Sequence, residues 1–446
     1  MTGFAPSGPL RGELRPPPDK SISHRAALIG AMSDGTTEVQ GYLDAADTQA
    51  TRLAVERLGA EVQSSRGDRD GVIDLAIAGI GLRGPGERAG EGAARIDVGN
   101  AGTLLRLLPG WLAGQGRGTW TLDGDESIRR RPVDRVAEPL REMGAAIECR
   151  EGRLPPLDIA GGALNGISYR MPMASAQVKS CVLLAGLTAA GETRVTEPAP
   201  TRDHTERMLA ARGVAIDVEE LRTLPTLGGG PVRRITISPA QALRGGDIVV
   251  PGDFSSAAFM LVAAIVVEGS RVRMTAVGLN PTRIGLLGIL TRMGAPIEVE
   301  EGPEGVEPIG SILARHGPLE ATRVHAEEVP LAIDELPLVA LLGCFAEGTT
   351  IVSGAEELRH KESDRIATVA DGLRGLGADI EATEDGFAVT GTGGLRGGRL
   401  DAHGDHRLAM LGAIAGLASR EGVEVEGMDA AAVSYPGFEA DLTSLA

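Results

Sequence analysis

Lysine is almost missing from this 446-residue chain: of 44 basic residues only Lys20, Lys179 and Lys361 are lysines, and the rest are arginine. Cysteine is nearly as scarce. Cys149, Cys181 and Cys344 are odd in number and set in apolar segments, which excludes a disulfide framework and points to reduced core thiols of a cytoplasmic protein. No apolar run reaches the length that spans a bilayer, so no membrane partner is expected. The first residues, MTGFAPSGPL, carry neither the basic nor the apolar region of a secretory signal. Motifs for nucleotide and metal chemistry are also missing. None of the three lysines follows a glycine as Walker A requires, there is no CxxC, HExxH or EF-hand spacing, and no GxGxxG opens a βαβ unit. A net charge of −17 argues against nucleic acid, whose phosphate backbone needs a basic surface. Small anions need only local positive groups.

What is present is an ordinary globular composition, 42% hydrophobic and 24% charged, in a chain too long for one core. Two domains are the expectation. In a chain that prefers arginine this strongly, a lysine marks a place where a planar, permanently charged fork does not serve and a compact rotatable donor does. The company of Lys20 and Lys361 supports that reading. Lys179 lies inside an apolar helix pattern, where a chance survivor, tolerant of arginine, is an equal alternative.

Two phrases repeat along the chain. The first is an apolar residue or Arg, then Gly, a small residue and, soon after, Ile or Val. It occurs at Leu58-Gly59-Ala60, Met143-Gly144-Ala145, Arg212-Gly213-Val214, Met293-Gly294-Ala295 and Leu376-Gly377-Ala378. Each follows a helical pattern, so the glycine fits a left-handed helix end and the stretch after it a strand. The second is a mostly apolar helix, then Gly, then a β-branched strand. It runs over Ser23–Val39, Gly102–Leu122, Ser175–Val195, Ser255–Val272, Asp334–Val352 and His406–Val425. Helices apolar nearly all round are buried ones. Six repeats of two helices and several strands therefore make two α/β domains of three repeats, with chain crossings expected near 16–21 and 238–246.

The starts of the six buried helices carry more than caps. They read Asp19-Lys20-Ser21-Ile22-Ser23-His24-Arg25, Gly99-Asn100-Ala101-Gly102-Thr103, Ser175-Ala176-Gln177, Asp253-Phe254-Ser255-Ser256, Asp334-Glu335 and Asp405-His406-Arg407. Capping explains the Ser, Asn and Asp residues, and alone suffices for Asp253 to Ser256. It does not explain Lys20, Arg25 or Arg407, because cations at a helix N-terminus oppose the macrodipole at a cost of about 0.3–1 kcal/mol. A bound anion removes the conflict. Three further runs suit the same use: Arg129-Arg130-Arg131-Pro132, Thr201-Arg202-Asp203-His204, and Arg359 to Arg365, in which Lys361 and Arg365 lie one helical turn apart. A solvated charge run is the plain alternative for each.

The segments DKSISHR, GNAGT, the Arg131-Pro132 pair, SAQ at 175–177, TRDHTE at 201–206, ELRHKESDR at 357–365 and GDHR at 404–407 together resemble the 5-enolpyruvylshikimate-3-phosphate synthase family, from Leu10 to Phe438. The resemblance implies a two-domain inside-out α/β barrel of six units with buried helices. Residues 1–20 plus 245–446 would form one domain and 21–244 the other, closing over substrate. It implies transfer of the enolpyruvyl group of phosphoenolpyruvate to the 5-hydroxyl of shikimate 3-phosphate, on the route to chorismate and the aromatic amino acids. Shikimate 3-phosphate would be held by Lys20, Ser21, Arg25, Ser175, Gln177, Arg202, Asp334 and Lys361. Phosphoenolpyruvate would be held by Lys20, Asn100, Gly102, Arg131, Gln177, Arg365, His406 and Arg407. Lys20, Asp334, Lys361 and Glu362 would be the catalytic group. No metal or organic cofactor is implied, and a monomer is expected.

Some positions depart from the family pattern. Ala176 stands where some members have serine, Val433 where many have lysine, and Leu107 where proline is common. The sister enzymes that act on UDP-N-acetylglucosamine have a loop cysteine where this chain has Glu126. A catalytically dead binding paralogue is the rival from another class, and the intact Lys20, Arg131, Asp334, Lys361, Glu362, Arg365 and Arg407 stand against it.

Overall fold

The computed structural model describes residues 1–88, 90, 92–221, 232–303 and 305–446. The chain forms two compact units, Pro18–Val250 and a discontinuous one made of Met1–Pro17 with Pro251–Ala446. The second crossing lies beyond 238–246, because Ile248–Val249 still pairs in parallel with Val39 and Gln40.

In each of the first five repeats a buried helix leads into a central strand, a second helix, and a hairpin that folds back antiparallel onto the central strand. In the first repeat these are the helix Lys20–Met32, the strand Thr36–Leu43, the helix Ala46–Arg57 and the strands Glu61–Arg66 and Val72–Ala78. A further strand pairs in parallel with the free edge of the central one. In Pro18–Val250 that parallel strand comes from the segment after another repeat's hairpin: Ala93–Asp97 joins the second sheet, Ser168–Arg170 the third, and Ile248–Val249 returns to the first. Three repeats thus close on themselves.

The second unit closes in the same way with the chain's own beginning. Arg11–Leu14 is the parallel edge of the fourth sheet, against Arg271–Gly278. Thr2–Phe4 lies antiparallel to Val423–Glu426 and completes the sheet of the sixth repeat, which among the described residues has three strands where the main sheets of the other five repeats have four.

The helix pattern explains the burial. Every residue of Phe254–Val266 and of Leu336–Gly343 is buried, as a helix without a polar face must be. The helices Gly102–Ala113 and Ala176–Gly186 approach so closely that a Cβ on Gly110 would lie 2.2 Å from the Cys181 carbonyl oxygen. Gly59, Gly144, Gly213, Gly294 and Gly377 have φ of 106°, 99°, 91°, 74° and 97°, the left-handed helix ends that the first phrase predicts. Among the described residues no helix is long and apolar enough to cross a membrane.

Candidate active site

Within Pro18–Val250, polar side chains tie together the starts of the three buried helices. Arg25, in the second turn of Lys20–Met32, is 3% exposed. It donates through Nη1 to the Ser21 carbonyl (3.0 Å), through Nη2 to Ser180 Oγ (3.0 Å) and through Nε to Thr205 Oγ1 (2.7 Å). Ser180 belongs to the third buried helix, Ala176–Gly186, and Thr205 to the helix His204–Ala211. Arg106 of Gly102–Ala113 donates through Nη1 to Gln177 Oε1 (2.8 Å), and Gln177 Nε2 donates back to Thr103 Oγ1 (3.2 Å). Ser175 caps the third helix, its Oγ accepting from the Val178 N–H.

Six other expected residues stand around these helix starts. The Lys20 ammonium is 3.2 Å from Asp47 Oδ2 and keeps 22% of its side chain exposed. Arg131 Nη2 donates to Asn100 Oδ1 (2.7 Å) and to Ser127 Oγ (3.2 Å), and Asn100 Nδ2 donates to Asp125 Oδ2 (2.7 Å). Gly102 faces two guanidiniums: a Cβ there would lie 3.1 Å from Arg131 Nη1 and 3.5 Å from Arg106 Nη1. Arg202 and Ser21 are half-buried. Beside this cluster His24 is fully buried, with Nδ1 2.6 Å from Thr51 Oγ1. Burial lowers its pKa to about 3, so it stays neutral between two cations.

In the discontinuous unit the three remaining helix starts join through carboxylates and arginines. Arg365, 1% exposed, reaches Asp405 Oδ2 through Nε (2.8 Å), Glu362 Oε2 through Nη2 (2.6 Å) and Asp334 Oδ1 through Nη1 (3.5 Å). Burial opposes its charge, but Asp405, Glu362 and Asp334 outweigh it and hold the guanidinium above its ordinary pKa. Burial likewise pushes the Asp405 carboxyl up, and Arg365 overrides it to hold the group below the usual carboxylate range. Asp405 also caps the sixth buried helix, accepting from the Arg407 N–H at 2.9 Å. Arg407 Nη2 lies 3.6 Å from Asp334 Oδ2. Asp334 is thus held between two guanidiniums. His406 is buried with Nδ1 4.0 Å from Asp405 Oδ1. Lys361 is paired with Glu357 at 3.5 Å and is 22% exposed.

Sequence reasoning missed several members of these clusters. Arg106 carries the same signal as Arg25, a cation one turn into an apolar helix, and could have been found by it. Arg283 sits in a turn with no motif. It donates to Glu335 Oε1 (3.1 Å) and to Ser255 Oγ (2.6 Å), and Nη2 lies 3.4 Å from Asp253 Oδ1. The Ser255 hydroxyl also bonds the fully buried Glu335. Asp253 caps Ser256 as expected, yet it and Ser255 also belong to this network, so capping alone is too small a role for them. Lys179 is not a chance survivor: its ammonium is buried between Glu197 and Glu206. Of the departures, Leu107 is fully buried, while Ala176 and Val433 are half-buried.

A family model described as EPSP synthase (3-phosphoshikimate 1-carboxyvinyltransferase) matches residues 4–442. The 3-phosphoshikimate 1-carboxyvinyltransferase of Alkalilimnicola ehrlichii is 47% identical over 435 residues, 97% of this chain and 93% of that one. That of Methylococcus capsulatus is 47% identical over 435 residues, 97% and 94% of the two chains. Among solved structures, an EPSP synthase from Acinetobacter baumannii is 41% identical with a TM-score of 0.83, covering 99% of this chain and 97% of the other. The enolpyruvyl transferase NikO from Streptomyces tendae is 17% identical with a TM-score of 0.74, covering 99% and 96%, and shares the fold.

Proposed function

This chain belongs to the EPSP synthase (3-phosphoshikimate 1-carboxyvinyltransferase) family, and from that premise we propose that it transfers the enolpyruvyl group of phosphoenolpyruvate to the 5-hydroxyl of shikimate 3-phosphate, releasing phosphate. The observation that carries the assignment of roles is the position of Asp334, a carboxylate held between Arg365 and Arg407. Separations of 3.5 and 3.6 Å are long for charge-assisted bonds, which close to about 2.7–2.9 Å. The two guanidiniums therefore retain donor capacity for the carboxylate and phosphate of phosphoenolpyruvate, beside a base that can accept a proton.

In the addition step the 5-hydroxyl oxygen bonds C2 of phosphoenolpyruvate while its proton passes to Asp334. The electron pair of the double bond takes a proton at C3, supplied by Lys361 or Glu362. The tetrahedral intermediate then expels phosphate, which takes up the proton held by Asp334, as C3 returns a proton to Lys361 or Glu362, which restores the double bond. Lys20, Asn100, Gly102, Arg131, Gln177, Arg365, His406 and Arg407 hold phosphoenolpyruvate. Lys20, Ser21, Arg25, Ser175, Gln177, Arg202, Asp334 and Lys361 hold shikimate 3-phosphate, with Lys20 and Gln177 touching both. Each folded unit contributes three repeats, and the protein works as a cytoplasmic monomer on small molecules, without metal or organic cofactor.

A phosphate-release assay with phosphoenolpyruvate and either shikimate 3-phosphate or UDP-N-acetylglucosamine tests this. Release with the first acceptor and not the second is expected. Release with UDP-N-acetylglucosamine instead would assign the sister activity, and tight binding of both substrates without release would assign a binding paralogue.

A further inference from the structure

Lys179 takes no part in the reaction as proposed, yet its ammonium meets three oxygen acceptors. Its side chain is 1% exposed. The ammonium lies 3.0 Å from Glu197 Oε2 and 2.8 Å from Glu206 Oε1, and donates to the Thr201 carbonyl at 3.2 Å. Thr201 Oγ1 donates to Glu197 Oε2 at 2.7 Å. One nitrogen thus joins the end of the strand Thr193–Glu197, the loop after it, and the first turn of the helix His204–Ala211. Packing alone does not call for such a triad, since apolar side chains of equal volume are commonly as stable as a buried ion cluster.

The neighbours of the triad give it a purpose. Arg202 follows Thr201 directly. Thr205 precedes Glu206 and accepts from Arg25 Nε, while Ser180 follows Lys179 and accepts from Arg25 Nη2. Ser180 and Thr205 are themselves hydrogen-bonded at 2.7 Å. Of the two arginines assigned to shikimate 3-phosphate, Arg202 is one residue, and Arg25 one bond and one residue, from groups that the ammonium contacts.

We infer that Lys179 is a positioning residue: by clamping Thr201 and Glu206 it sets the place of Arg202 and so sets affinity for the phosphorylated cyclic substrate without touching it. This rests on the function proposed above. It also explains why lysine stands here in an arginine-rich chain. Three donors on one nitrogen meet three acceptors grouped around it, which a planar guanidinium fork cannot do.

The test compares wild type with Lys179→Met, each with and without Arg202→Ala, in steady-state assays. Because lone carboxylates left buried can prevent folding, the neutral variant Lys179→Met/Glu197→Gln/Glu206→Gln is measured alongside, with circular dichroism as the check of folding. The expected result is a rise of ten-fold or more in KM for shikimate 3-phosphate, with kcat and KM for phosphoenolpyruvate within three-fold. On the Arg202→Ala background the further rise should shrink to three-fold or less, and Lys179→Arg should not restore wild-type KM. An unchanged KM in a folded variant, or a rise above three-fold that persists without Arg202, overturns the inference. A wild type that releases no phosphate with shikimate 3-phosphate overturns the function itself.

Discussion

Gly102→Ala should weaken phosphoenolpyruvate binding without weakening the fold. The new methyl would sit 3.1 Å from Arg131 Nη1, closer than ordinary carbon–nitrogen contact, so the guanidinium must give way. It has little freedom to do so, because its Nη2 is held by Asn100 at 2.7 Å and Ser127 at 3.2 Å, and Asn100 by Asp125 at 2.7 Å. A hydrogen bond to a charged group contributes about 1.5–3 kcal/mol. Losing roughly half to two-thirds of one costs about 1–2 kcal/mol, or roughly a 5- to 30-fold rise in KM for phosphoenolpyruvate. The helix itself should not suffer, since alanine is the better helix former by up to about 1 kcal/mol. Kinetics with phosphoenolpyruvate varied at saturating shikimate 3-phosphate, beside calorimetric melting, separate the two effects. Glyphosate, expected to compete with phosphoenolpyruvate in wild type, should lose still more affinity, because its extra length uses the space that the methyl fills. A KM within two-fold of wild type at an unchanged melting temperature would refute the reasoning. So would a drop in melting temperature, which would place the clash in the helix rather than on Arg131.

Lys20→Arg and Lys361→Arg keep the charge but replace a compact donor by a wide fork. Each should lose at least about 2 kcal/mol of transition-state stabilisation, read as a fall of roughly 30-fold in kcat/KM. Asp405→Asn replaces one of three carboxylates around the buried Arg365 while Glu362 and Asp334 remain, and should cost less in urea unfolding than the about 3–5 kcal/mol of a buried charge left with no partner. The Asp405 carboxyl is held below its unfolded value. The stability it contributes is therefore complete above about pH 4 and is lost as the pH falls through the lower folded value. Wild-type stability should fall more steeply than that of Asp405→Asn on acidification in that range. Burial pushes the Cys181 and Cys344 thiols up to about 12. A disulfide reagent at about pH 8 should leave both intact in the native protein and react, if at all, at the half-buried Cys149; fast labelling of more than one thiol would contradict this.

Features that depend on local pattern were legible in the sequence. The all-round apolar helices, the left-handed glycines and the order of helix and strand follow from spacing that neighbouring residues share. Lys20, Arg25 and Arg407 stood out because each contradicts the preference of the helix end it occupies. Pairings across long separations were not legible. Nothing near Arg283 signals that it bonds Glu335, and nothing near Lys179 shows that carboxylates 18 and 27 residues later will bury its charge. The pairing of Ile248–Val249 with the first strand was hidden for the same reason, since two residues carry too little pattern to declare a partner.

The way the strands are shared between repeats has a consequence for how the protein is made. Pro18–Val250 is one uninterrupted stretch whose last strand, Ile248–Val249, joins its first sheet, so it can complete itself while the ribosome is still translating the second half. The other unit cannot. Thr2–Phe4 is translated long before its partner Val423–Glu426. Arg11–Leu14 likewise waits for Arg271–Gly278. The segment Thr2–Leu14 therefore holds two unpaired edge strands until those partners are made. Short, exposed and interrupted by Pro6 and Pro9, it is poorly built to pair with a neighbouring nascent chain.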